Sequence, residues 1–114
     1  MFRDTAQQAA TCRALLALAG LPAVELWTDQ GPTDAALRLF VEGGDALYPG
    51  GRVLLGLAIS LHTEGGGEPL GDAFEHLTPE HLVALSGLLA ALAEGHDAVD
   101  AWLHNRAAPE RFDA

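Results

Sequence analysis

Two stretches constrain this chain more than anything else in it. Residues 53–61 read VLLGLAISL and residues 82–93 read LVALSGLLAALA, and neither contains a charge. Both fall short of the roughly 18 residues of a membrane span. Both are rich in Leu and Ala, which favour helix over strand. A surface helix normally shows one apolar stripe, whereas these segments are apolar almost all the way round. A chain of 114 residues is long enough for one core and too short for two. It can enclose one such helix completely, but enclosing two is difficult at that surface-to-volume ratio. The expectation is a compact, mainly α single domain over residues 1–114, frayed from about residue 107, that self-associates through helices 53–61 and 82–93. Leu54, Leu57, Leu61, Leu85, Leu89 and Leu92 are the interface candidates.

Local signals divide the chain into four or five helices. Asp4 or Thr5 can cap a first helix over 4–19 that ends at Gly20, with Ala9, Cys12, Leu15, Leu16 and Ala19 on its apolar face. Thr33 or Asp34 can cap a second, AALRLFVEG, closed by Gly43-Gly44. Its letters also alternate as a strand would, which leaves a short β-hairpin of 23–28 with 36–42 as the alternative. A buried helix is expected over 52–62, with a strand left open by periodicity alone. Thr78-Pro79-Glu80 is a strong helix start: a hydroxyl cap, a proline at the first helical position, and an acid near the positive end of the dipole. The helix it opens runs to Gly95, and a last one follows with Val99, Trp102 and Leu103 on one side.

Charge narrows the partners. Sixteen acids against six bases give a net charge of −10, and every base is Arg. Such a surface repels nucleic-acid phosphate and anionic membrane, so direct binding to either is not expected, while a basic protein partner remains open. The single cysteine, Cys12, rules out an internal disulfide and fits a reducing, cytoplasmic setting. It lies among Ala and Leu, as a buried inert thiol would.

The densest polar cluster is FEHLTPEHL at 74–82, where Glu-His-Leu occurs twice. The second pair is accounted for by the helix start. All five histidines lie between Val53 and Asn105, a stretch that contains acids but neither Arg nor Lys. Carboxylates near an imidazole favour its charged form, which makes His76 and His104, each four residues after an aspartate, the pH-sensitive candidates. The same residues, Asp72 with His76 and Asp100 with His104, are the residue types of a divalent-metal site. Against a metal, no two histidines are three or four apart, and Pro79 separates His76 from His81. The glycine clusters YPGGR and EGGGE lack the Walker and dinucleotide spacings and read as connectors. No nucleophile elbow is present, and Ser60 and Ser86 sit inside apolar helices.

No catalytic residue emerges and no cofactor is expected. The sequence points to a non-enzymatic, acidic interaction or regulatory module, homo-oligomeric through its apolar helices. Two alternatives stay open: a small protein that binds a divalent metal through His and carboxylate, and an acidic nucleic-acid mimic that occupies a basic groove.

Overall fold

Local capping chemistry sets where the long helices begin and end. The computed structural model describes residues 2–43, 49–63 and 77–107. Helix α1 (Thr5–Leu18) starts at Asp4, whose carboxylate accepts the Gln7 amide hydrogen at 2.8 Å and so satisfies a donor that the helix itself leaves orphaned. The chain leaves α1 through Gly20 at φ 75°, a conformation glycine adopts without a Cβ clash. The Leu21 amide then folds back onto the Leu16 carbonyl at 3.0 Å. Ala9, Cys12, Leu15, Leu16 and Ala19, the anticipated inner face, are none of them more than 5% exposed.

Between residues 23 and 43 the structure decides between helix and strand. Ala23–Leu26 forms a single helical turn, α2, in place of the alternating strand that its letters allow. A hairpin does follow, but it is smaller than 23–28 against 36–42. Strand β1 (Trp27–Thr28) pairs antiparallel with β2 (Gly31–Pro32), with Trp27 opposite Pro32 and Thr28 opposite Gly31. Residues 36–42 are helical, within α3 (Asp34–Glu42). The Thr33 hydroxyl accepts from the Ala36 amide at 3.2 Å and starts α3, and Gly43 at φ 42° ends it. Burial on α3 follows helical spacing: Ala36 is buried and Leu39 and Phe40 are half-buried, while Leu37 and Val41 face outward at 43% and 75% exposure.

Helix α4 (Pro49–Thr63) starts earlier than the anticipated residue 52. Pro49 already has the fixed φ that a first helical turn needs. Gly50 and Gly51, read from sequence as a connector, lie buried in that turn. Val53, Leu54, Leu55 and Ala58 are at most 5% exposed, so this helix is apolar all round because it is enclosed nearly all round. Helix α5 (Pro79–Glu94) begins as its sequence dictates: the Thr78 hydroxyl accepts from the His81 amide at 3.2 Å, and Pro79 follows. It stops at Gly95, φ 129°, and α6 (His96–Ala107) runs from there.

The chain is mainly α, with six helices and one hairpin among the described residues; the count exceeds four or five by the single-turn α2. Helix α1 packs against both α4 and α6, and α5 packs against α6. One core draws side chains from all of these elements, including Trp27 at 1% and Val99 at 0% exposure. The tail from residue 108 and the EGGGE loop lie outside the described residues.

Candidate functional site: the outward face of the fifth helix

The six leucines marked as interface candidates separate once the helices pack. Leu54 and Leu85 are core residues, 0% and 7% exposed, and offer no surface to a partner. Leu57, Leu61 and Leu92 are half-buried and packed against that core. Leu89 stands out at 59% exposure. Its companion is Val83, 73% exposed and not among the sequence candidates. Between and beyond them Ser86, Ala90 and Ala93 are exposed as well. Positions 83, 86, 90 and 93 recur at intervals of three and four, so they form one stripe along α5. Gly87 flanks it on one side and Leu89 on the other. Exposed Glu80 and Glu94 mark its two ends.

Helix α6 dictates which face of α5 turns inward. The Trp102 indole N–H donates to the Ala84 carbonyl at 2.9 Å. A Cβ on Gly87 would stand 3.3 Å from Trp102 Cδ1. The residue that needs Gly87 to be small is thus an indole from the neighbouring helix.

Two of the four polar candidates fall within the described residues. Asp72 and His76 lie outside the described residues. Asp100 reaches across to the start of the chain, to Arg3 and to Gln7 on α1. Its carboxylate accepts from both terminal nitrogens of Arg3, one at 3.2 Å, and from Gln7 Nε2 at 3.0 Å. The Arg3 and Gln7 hydrogen bonds hold its carboxyl below the usual carboxylate range. His104, four residues on, is exposed on α6. Among the described residues, no three of His, Cys, Asp and Glu converge on a point where a metal could sit.

Two other histidines have packing roles. The His62 ring meets Trp27 edge to face, 5.9 Å between centroids. It also occupies the space where a Cβ on Gly31 would fall, 2.5 Å from Cε1. Beside it lies a cavity of about 50 Å³ bordered by Gln8, Asp29 and Gly31 among others. His81 Nε2 donates to the Leu18 carbonyl at 2.9 Å. A carbonyl only accepts, so the ring carries a proton on Nε2. Nδ1 is buried and has no hydrogen-bond partner. His81 therefore fastens the first turn of α5 to the last turn of α1, a contact that nothing in the sequence around 81 announces.

Cys12 is fully buried, donates weakly to the Ala58 carbonyl at 3.4 Å, and has its thiol pushed up to about 12 by burial. A thiol so placed is neither a nucleophile nor a ready metal ligand near neutral pH. Arg52, next to the Gly50-Gly51 turn, lies over the Phe40 ring at 4.8 Å. No helix of the described residues is long and apolar enough to cross a membrane. Comparison with protein-family models, with curated proteins and with solved structures finds no match to this chain.

Proposed function

We propose that this chain is a non-enzymatic, acidic interaction module that pairs with a second copy of itself through the outward face of α5. The observation that carries this reading is the stripe of Val83, Ser86, Ala90 and Ala93, flanked by Leu89, with Val83 at 73% and Leu89 at 59% exposure. Exposed apolar surface of this kind commonly marks a protein interface. Of the two apolar segments, 53–61 is consumed by the core, so the role falls to 82–93 alone. A second copy is the simplest occupant. The chain carries −10 overall, and a basic partner drawn to that charge would find no carboxylate on this stripe. A second copy brings an equally uncharged stripe, self-complementary about a two-fold axis. The acidic remainder stays free for a basic protein, in a reducing cytoplasm where Cys12 remains a thiol.

Sedimentation equilibrium at micromolar concentration tests the pairing. The parent chain is expected to be dimeric, and Leu89→Glu and Val83→Glu to be monomeric with unchanged helical circular dichroism, because both positions are exposed. A monomeric parent, or variants that still pair, overturns the proposal.

A further inference from the structure

We infer that the cavity enclosed by α1, the hairpin and the end of α4 binds a small uncharged molecule that presents an oxygen acceptor to the Trp27 indole. Trp27 is 1% exposed and lines this cavity of about 50 Å³. Its indole N–H is buried and has no hydrogen-bond partner. Trp102, the second indole of the chain, donates instead to the Ala84 carbonyl at 2.9 Å. A buried donor left unpaired costs free energy that a matching acceptor recovers. The polar neighbours of Trp27 are committed elsewhere. Gln8 turns its amide towards α4, with Nε2 donating to the Leu61 carbonyl at 2.7 Å. The Asp29 carboxylate pairs with Arg13 at 3.2 Å.

The walls set the size of what fits. Gly31, at φ 122°, contributes no side chain, and the His62 ring stands where its Cβ would fall. One water needs about 10–15 Å³ of such space and a benzene ring about 150 Å³. A cavity of about 50 Å³ therefore takes about two to four non-hydrogen atoms and no ring. Charge sets the class. Among the described residues of the lining, Asp29 is the one carboxylate; its side chain is 80% exposed and already paired. An ionic ligand would enter without a free permanent charge to meet it, at a cost in desolvation. The last turn of α4, which carries His62, presents the negative end of its dipole and disfavours an anion further. A bare cation has nothing to offer an N–H donor. A short amide, ketone or alcohol satisfies both constraints.

Proton–nitrogen NMR of the labelled full chain reads both indoles at once, with acetamide as the probe. The Trp27 indole signal is expected to move downfield and to half-saturate on the order of 1–10 mM, the range for so few atoms. The Trp102 signal, already paired, should stay in place. Acetate, equal in size but charged, should bind about fivefold more weakly. Isobutyramide, a bulkier amide, should bind more weakly than acetamide to the parent and overtake it in His62→Ala, where a wall is removed. Trp27→Phe should lose the responding signal and Trp102→Phe should keep it, so the assignment stands even if one of the two fails to fold. Three results overturn the site: a Trp27 signal unmoved at about 100 mM acetamide, equal movement of both indoles, or a cross-peak from the Trp27 N–H to water that acetamide leaves unchanged. Acetate binding as tightly as acetamide overturns the uncharged class. An unchanged size order in a folded His62→Ala overturns the wall assigned to His62.

Discussion

The indole of Trp102 is held against the backbone of α5 at Gly87: its N–H donates to the Ala84 carbonyl at 2.9 Å, and its Cδ1 stands 3.3 Å from where a Cβ on Gly87 would lie. The two residues are coupled, and the coupling can be measured. Ala in place of Gly gains about 1 kcal/mol of helix propensity, but overpacking costs about 1–3 kcal/mol where the neighbour cannot move away. Trp102 is 8% exposed and anchored by its hydrogen bond, so its freedom to shift is small. Gly87→Ala is expected to destabilise the parent by roughly 1 kcal/mol and to stabilise a Trp102→Leu background. Urea unfolding across the double-mutant cycle reads the change of sign. The same sign in both backgrounds would mean that the indole does not require the glycine.

Leu54 and Leu89 are both leucines in uncharged apolar segments, yet they should differ sharply in stability. Leu54 is 0% exposed and Leu89 59%. Leu54→Ala is expected to cost about 2–5 kcal/mol, the range for a buried leucine. Leu89→Ala should stay within about 0.5 kcal/mol when the chain is held monomeric by dilution. Similar losses at both sites would put Leu89 in the core.

The start of α5 rests on the Thr78 hydroxyl, which accepts from the His81 amide at 3.2 Å. Thr78→Ala should cost about 1 kcal/mol, the usual worth of a side-chain cap. Ser86→Ala, on the exposed face of the same helix, should cost less. Negligible losses at both would mean that the cap contributes nothing to the helix start.

These helix starts are what the sequence makes legible. Asp4, Thr33 and Thr78 act on amides three residues away, and Gly20, Gly43 and Gly95 close their helices through their own dihedrals, so the signal is local. The inner face of α1 is legible in the spacing of Ala9, Cys12, Leu15, Leu16 and Ala19, but not the burial of Gln7 and Thr11 beside them. Helix α5 offers no such marker from Leu82 to Ala93. Leu85 faces in and Leu89 faces out for reasons that lie on α6, in Trp102. Asp100 shows the same limit. Its spacing suggests His104, four residues on, while its carboxylate goes to Arg3, 97 residues away. No window on the sequence contains that pair. The hairpin is smaller than the alternation suggests because Thr33 caps α3 before a strand can run to 42.

The Asp100 contact also carries a pH dependence. The hydrogen bonds from Arg3 and Gln7 lower its folded-state pKa. A carboxyl with a depressed folded pKa contributes stability above its unfolded pKa, near 3.9, and loses it as pH falls through the folded value. Asp100→Asn should therefore flatten the acid limb of the stability profile below about pH 5 and lower stability slightly at pH 7. The Arg3 and Asp100 side chains are 45% and 42% exposed, so the effect should be small and shrink with added salt. Urea midpoints between about pH 3 and 7 compare the two chains, and parallel profiles would dismiss the contact as a contributor.

Helix α1 is made before the helices it packs against and is completed only by α6. It packs mainly against α4 and also against α6, α2 and β1, with Gln7 donating to the His96 carbonyl at 2.7 Å. During synthesis at about 5–20 residues per second, the apolar side that α6 will cover waits on the order of 5–20 s for its partner. In that interval a nascent chain bearing Leu15 and Leu16 uncovered is a substrate for whatever binds emerging hydrophobic segments. The topology that brings α1 to α6 thus makes the emergence of α6, not that of α1, the point at which this domain can close its core.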